Sequence, residues 1–415
     1  MTSSCRNAKQ SETATTHSRG HDAEREASGA CVRRTVQILI VGLGPAGTAC
    51  GMGLAKPGLE VLAIDRAYFP RDKICGDALT GEALRFLKQN NIPSSLIKRS
   101  VGERRKPSYA DLTATLAEAG GYSLHGTGLR EKTASFHSVR RIDLDHWLVQ
   151  CCASAGLPME FGWQMQSLER LSDSDPWLIK GKIRSRDGQV QGTFEINAEV
   201  VVGCDGASSI VQHQTREAKS ARPIALASRR YSTHKEVDSP DLSFMAYQWP
   251  RNPSYAWQFS VNGGTNAGIY WCHHLDIPRI SGRDLLALTR QHAPKGDAIR
   301  TWGIPVLTEE PLPHSPSGVL LTGDAASLVD PLIGHGIDRA IHSGELASQT
   351  LSEGFESGWS VDKITRTYEK NLEIRRHQWQ GSFKEMNNIL KGIDHTAEEF
   401  TRNLISRCLT STPEA

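Results

Sequence analysis

Apolar residues recur along this chain in two periods, and the periods predict its elements. A short apolar run ending at Val41 (QILIV from Gln37) and a second from Glu60 to Ile64 read as strands. The stretch between them, beginning near Pro45, reads as a helix, because proline is tolerated where the first N–H has no partner. Ala83 to Asn90 has helical spacing, and Arg141 to Ala155 places Leu144, Leu148 and Cys152 on one helical face. Trp177 to Ile183 and Thr193 to Val202 read as strands of a small sheet, and Val319 to Thr322 as another short strand. Between Leu242 and Cys272, the segments FMAYQW, YAWQFS and AGIYWC alternate aromatic with small or polar residues, as half-buried strands do. The glycine-rich stretch Gly263 to Gly268 predicts a hairpin turn. Gly336 to Leu351 is an amphipathic helix, and charged helices are predicted from residue 361 to about 405.

The junction after the first strand carries chemistry. Gly42, Gly44 and Gly47 stand in GxGxxG spacing, with Pro45 and Ala46 opening the helix. The first glycine lets the chain turn, the second leaves room for a pyrophosphate, and the third lets helix and strand pack closely. The helix start aims free N–H groups and a positive dipole end at the phosphates. Asp65, at the end of the second strand, is placed to take the ribose hydroxyls of a dinucleotide, with Arg66 beside it.

Composition narrows the classes. A chain of 415 residues is about right for two or three packed units. A net charge of +2 implies neither nucleic acid nor an acidic membrane surface, and no apolar stretch is long enough for a transmembrane span. The nine cysteines form no CxxC pair, which excludes a disulfide reductase and fits a reducing, cytoplasmic setting. Residues 1–34 are polar and charged and read as a disordered tail without a targeting signal. Cys272-His273-His274 is no metal site, since neighbouring strand residues face opposite sides. No metal is expected.

Three later motifs join the first: Gly203-Cys204-Asp205-Gly206, Gly323-Asp324-Ala325-Ala326, and Asp330-Pro331-Leu332-Ile333-Gly334-His335-Gly336-Ile337. Four motifs in this order resemble the FAD-dependent monooxygenase superfamily, which also holds geranylgeranyl reductases and flavin-dependent halogenases. The resemblance implies an α/β fold: a Rossmann-type FAD-binding domain of the glutathione-reductase-like, hydroxylase subtype, with an inserted β-rich substrate domain and C-terminal helices. The expected division is a tail at 1–34, a discontinuous FAD domain at 35–85, 135–215 and 305–355, a substrate domain at 86–134 and 216–304, and a helical segment at 356–415.

It also implies residue roles. Asp324 would accept hydrogen bonds from the ribityl chain, and a simple helix cap is the alternative. Gly323, Pro331, Gly334 and Gly336 would let backbone approach the flavin ring, and the helix starting near Gly336, with Ile337 next, would stabilise charge on the reduced ring. Arg71, Lys73, Cys75 and Gly76 belong to a loop similar to the Lys-x-Cys-Gly loop of geranylgeranyl reductases, which lies along the cofactor. Cys75 is read as near the ring but chemically inert. Arg141 matches an arginine that contacts the pyrophosphate, with Arg140 as the other match. Asp205 either docks a nucleotide or braces its loop. The family's DG motif carries arginines at the positions of Ser208 and, further on, near Gln212. Their absence weakens NAD(P)H docking there. His335 stands where the family has a carboxylate or amide, and either tunes the flavin or contacts solvent.

Functionally, the resemblance implies an FAD oxidoreductase. The first expectation is a monooxygenase that hydroxylates a small aromatic molecule, or a tryptophan held in a peptide or partner protein, through a flavin C4a-hydroperoxide. Phe244, Trp249, Tyr255, Trp257, Phe259, Tyr270 and Trp271 would supply a stacking pocket, although most of them read as sheet core. Trp257 sits in a Tyr-x-Trp-x-Phe segment that the family places near its substrate. The alternatives are isoprenoid double-bond reduction, halogenation with Lys73 as the available lysine, and flavin binding without catalysis. No second dinucleotide motif is present, so electrons come from NAD(P)H bound transiently or from a separate flavin reductase.

Overall fold

The computed structural model describes residues 30–101, 115–116, 122–127, 135–172, 175–215, 224–233, 242–248, 254–272, 280–293, 295–312, 314–381 and 384. The expectations for residues 1–29, Trp249, His273, His274 and the chain beyond 384 lie outside them.

The chain opens with β1 (Cys31–Val41), α1 (Pro45–Leu54) and β2 (Val61–Asp65). β3 (Ala78–Leu79), α2 (Gly81–Gln89), β4 (Lys98–Val101), β5 (Thr115–Leu116), β6 (Tyr122–Thr127) and β7 (Ser135–Ser138) follow. Next come α3 (Arg141–Ser154), β8 (Met159–Phe161), β9 (Trp163–Glu169), β10 (Trp177–Arg184), β11 (Val190–Gly203) and α4 (Ile210–Thr215). β12 (Ile224–Ser232), β13 (Leu242–Gln248), β14 (Tyr255–Val261) and β15 (Gly264–Trp271) lead to α5 (Gly282–His292) and β16 (Arg300–Pro305). β17 (Val319–Leu321), α6 (Ile337–Glu356) and α7 (Val361–Trp379) complete the described chain.

The first sheet runs β8-β2-β1-β11-β10-β9, with β17 also paired to β11. β8, β2, β1, β11 and β17 are parallel, and their inner residues (Ile38 to Ile40, Ala63, Ile64, Val200 to Val202) are fully buried. In chain order the parallel strands read 3-2-1-4-5, so the order reverses between β1 and β11. That reversal opens a crevice at the carboxyl ends of the strands. The small separate sheet expected at 177–202 does not exist. β10 and β9 extend this same sheet antiparallel, because one edge of β11 pairs with β10 through Ala198 and with β17 from Val201. β1 also starts earlier than its apolar run, at Cys31, where charged side chains face solvent and Arg33 pairs with Glu195 at 2.9 Å.

A second, antiparallel sheet runs β16-β12-β15-β14-β13-β6-β5. The hairpin turn falls at Asn262-Gly263, while Gly264 to Gly268 are themselves strand. β14 and β15 are buried on both faces rather than half-buried. One face, with Ala256, Ile269 and Trp271, packs on Leu285 and Leu288 of α5. The other carries Tyr255, Trp257, Phe259 and Tyr270 toward the crevice. A three-stranded sheet, β3-β7-β4, is fastened to β14, where Ser138 Oγ donates to the Ser260 carbonyl at 2.7 Å. No helix among the described residues is long and apolar enough to cross a membrane.

Candidate active site

The crevice starts at the glycine turn. Gly42 has φ +99°, and a Cβ there would stand 2.4 Å from the Cys204 carbonyl oxygen. A Cβ on Gly47 would fall 1.8 Å from the Gly42 oxygen. These two glycines therefore join β1, β11 and α1 at van der Waals contact. Gly44 differs, because the nearest atom to a Cβ there is Arg71 Nη2 at 3.7 Å. It faces open space beside a guanidinium, at a helix start with no side-chain cap. Bare backbone, free N–H groups and a cation suit a diphosphate, so the cradle fits the diphosphate of FAD. Ala46 packs under the turn, where Gly344 of α6 has space only for hydrogen. Asp65 is buried and braces the turn, its Oδ2 accepting from Leu43 N–H and its Oδ1 from Ala67 N–H, both at 2.8 Å. Each oxygen keeps acceptor capacity for a hydroxyl. Arg66 is exposed.

The loop after β2 forms the next wall. Arg71 Nη1 donates to Asp145 at 2.8 Å, and Arg141 closes a two-bond fork on the same carboxylate, 2.8 Å each. Although Asp145 is fully buried, the Arg141 and Arg71 guanidinia hold its pKa below the usual carboxylate range. Arg140 points elsewhere, its guanidinium stacked over Tyr231. Lys73 Nζ donates to Asp324 Oδ2 at 2.9 Å, so this lysine is already engaged. Cys75 lines the pocket, and burial pushes its thiol up, against the pull of Arg141. It stays a thiol at neutral pH. Asp205 braces its own loop, accepting from Ile210 N–H at 2.7 Å and Val211 N–H at 3.2 Å.

The loop before α6 closes the site. Asp324 caps nothing with its side chain and faces the pocket with its Lys73 partner. Asp330 ties the turn internally, accepting from Leu332 and Ile333 N–H, while Arg339 donates to its other oxygen at 2.7 Å. The antiparallel sheet grips this loop through two phenols. Tyr255 donates to the Ile333 carbonyl at 2.6 Å and Tyr270 to the Pro331 carbonyl at 2.8 Å. Gly334 lies under the Tyr270 ring, 3.0 Å from where a Cβ would stand. Gly336, the uncapped N-terminus of α6, and Ile337 line the pocket with His335.

The pocket thus brings together Pro45, Lys73, Cys75, Gly76, Arg141, Asp324, Gly334, His335, Gly336, Ile337 and Trp257 of the expected residues. Gly42, Gly44, Ala46, Gly47 and Asp65 form the turn behind it, and Asp205, Gly323 and Pro331 support its loops. Of the aromatics, Tyr255, Trp257, Phe259 and Tyr270 line the pocket, and Trp271 is core. Those four are buried in the sheet as expected, and their face of it also lines the crevice.

Sequence reasoning missed one hub. Asp77 is fully buried at φ +67°, a conformation few residues other than glycine adopt. It accepts from Arg141 N–H at 3.2 Å, Asn266 Nδ2 at 2.9 Å and the Tyr231 hydroxyl. Asn266 in turn accepts from Trp257 Nε1 at 3.0 Å and donates to the Cys75 carbonyl at 2.8 Å. Burial pushes Asp77 up to about 6, against the hydrogen bonds of Tyr231 and Asn266 and the charges of Arg229 and Arg141. The only signal in the sequence is an acid directly after Cys75-Gly76.

A family model described as FAD binding domain matches residues 35–246. The menaquinone reductase of Mycolicibacterium smegmatis is 28% identical over 370 residues, covering 82% of each chain. The geranylgeranyl diphosphate reductase of Rhodobacter capsulatus is 27% identical over 337 residues, 79% of this chain and 78% of that one. Among solved structures, a geranylgeranyl bacteriochlorophyll reductase-like protein from Thermoplasma acidophilum superposes with a TM-score of 0.65 at 21% identity, covering 90% of this chain and 91% of that one.

Proposed function

Because this chain belongs to the FAD binding domain family, within the FAD-dependent monooxygenase superfamily, it is an FAD-dependent oxidoreductase, and we propose that it reduces an isoprenoid-bearing substrate. One observation carries the reading. The wall fastened to the ring-edge loop is an apolar slot of Tyr255, Trp257, Phe259 and Tyr270, extended by Ala227, Trp302 and Ile304. Such a slot suits a polyisoprenyl chain, the part shared by menaquinone and geranylgeranyl diphosphate, on which the two reductases named above act.

Bound FAD supplies a hydride when reduced. The protein's part is to place a double bond against the ring and keep water away. Tyr255 and Tyr270 fix the height of the ring-edge loop through its carbonyls, and Trp257 is held by Asn266. The N-terminus of α6 favours negative charge on the pocket side. In this reading Gly44 and Arg71 take the cofactor diphosphate, and Asp324 with Lys73 takes the ribityl chain. Electrons arrive from NAD(P)H or a separate flavin reductase.

Hydroxylation of an aromatic substrate is the second reading, favoured by the four aromatic rings of the wall. Halogenation is disfavoured, because Lys73 is paired with Asp324.

The test is direct. The FAD-loaded protein is reduced anaerobically and mixed with geranylgeranyl diphosphate or menaquinone. Flavin reoxidation with a product heavier by two hydrogens supports reduction. Failure of both to reoxidise it, with oxygen-dependent gain of one oxygen by an aromatic substrate, would replace this reading with the second.

A further inference from the structure

The pocket wall continues into a charged cluster that neither the cofactor cradle nor the aromatic slot uses. On β12 and β16, Ala227 pairs with Trp302 and Arg229 with Arg300. Residues two apart on a strand share a face, so the arginines extend the wall that Ala227 and Trp302 line. Arg229 is only 3% exposed. Its Nη2 donates to Asp72 Oδ2 at 2.6 Å, and its guanidinium stacks 3.8 Å from the centre of the Tyr231 ring. Its Nε and Nη1 have no hydrogen-bond partner, nor has Nε of Arg140, which lies 4.7 Å from the same ring. Arg300 reaches to 3.8 Å of the same Asp72 oxygen and is largely exposed. Asp72 Oδ1 in the same cluster also lacks a partner. Buried cationic N–H groups without acceptors are costly, and Arg229 and Arg300 share the face that Ala227 and Trp302 turn to the pocket, which marks a place for a ligand.

We propose that Arg140, Arg229 and Arg300 bind a phosphate or diphosphate ester at the outer end of the pocket. Three guanidinia outnumber the carboxylates of Asp72 and Asp77. One Asp77 oxygen is turned to Tyr231 and Asn266 and the other to the Arg141 N–H. A planar fork with spare N–H groups matches phosphate oxygens, and Tyr231 stacks with two such forks. The ester has two sources: the head of a prenyl diphosphate whose chain lies in the aromatic slot, or the phosphates of NADPH. The first rests on the reductase reading, and the site itself does not.

Inorganic pyrophosphate titrated calorimetrically into the FAD-loaded protein at low ionic strength tests the site with the cofactor cradle filled. Binding is expected, and it weakens at least tenfold in Arg140→Gln and in Arg300→Gln, neither of which removes the buried Arg229. No binding, or equal binding by wild type and both variants, overturns the proposal. Steady-state kinetics of the same variants separates the sources. A KM raised for geranylgeranyl diphosphate and unchanged for geranylgeraniol assigns the ester to the substrate. A KM raised for NADPH and unchanged for NADH assigns it to the nucleotide. If the variants move neither, the pyrophosphate binding is adventitious and the proposal fails. An absence of any prenyl reduction alongside intact pyrophosphate binding would sink the reductase reading alone.

Discussion

Replacing Asp77 by asparagine separates the charge of this hub from its shape. Asparagine tolerates φ +67°, so the backbone keeps its conformation. The wild-type carboxyl titrates at about 6 when folded, against 3.8 for an unperturbed carboxyl. Below pH 3.8 it is protonated in both states. Between the two values the unfolded chain loses its proton while the folded chain keeps it, so stability falls as pH rises. Above about 6 the full penalty is in place, roughly 3 kcal/mol at about 1.4 kcal/mol per unit. The amide cannot ionise and escapes that slope. Its oxygen can keep the Tyr231 and Asn266 donors while its NH2 meets the Arg141 N–H, a mismatch of about 1 kcal/mol that the protonated wild-type carboxyl shares at low pH. Asp77→Asn should therefore be close to wild type in stability at pH 4 and more stable at pH 8, a relative change of about 2 kcal/mol. Urea unfolding of the FAD-loaded proteins, followed by circular dichroism across that range, measures it. A difference that stays constant, or that favours wild type more as pH rises, refutes the assignment of a destabilised buried charge.

Other outcomes follow from single contacts. Asp324→Ala should lose most of its FAD on gel filtration while its circular dichroism is retained; undiminished flavin retention would show that the carboxylate does not hold the cofactor. Gly44→Val should block the diphosphate cradle and yield a folded, colourless protein, because among the described residues the atom nearest its Cβ is an arginine tip. Arg339→Met strands the nearly buried Asp330 carboxylate and should lower unfolding free energy by about 3 kcal/mol in urea. Tyr270→Phe removes the bond to Pro331 and should cost about 1 kcal/mol, while slowing flavin reoxidation by substrate.

The dinucleotide turn was legible because its pattern is local: strand, glycines, helix and Asp65 lie within 30 residues, although β11 and α6 pack against it from far along the chain. The helix of Arg141 was legible for the same reason, as was a hairpin near Gly263, although its turn falls at Asn262-Gly263 and the rest of the glycine-rich stretch is strand. Long-range partners were not. Asp145 gains its second guanidinium from Arg71, 74 positions away, and Asp77 takes Asn266, 189 positions away. No pattern in either neighbourhood announces the other. β11 misled for a related reason, since its period cannot say that two different strands share one of its edges. The aromatic strands read as half-buried because α5, which covers their second face, lies further along the chain than the alternation that was read.

The phenol clamp also bears on how such enzymes diversify. Tyr255 and Tyr270 belong to the recognition sheet, yet the carbonyls they hold belong to the stretch at the flavin edge. The two pieces are separated in sequence but mechanically fastened. A chimera that imports a new recognition sheet from a relative must therefore bring residues 329–336 with it, or leave the transplanted strands without their moorings.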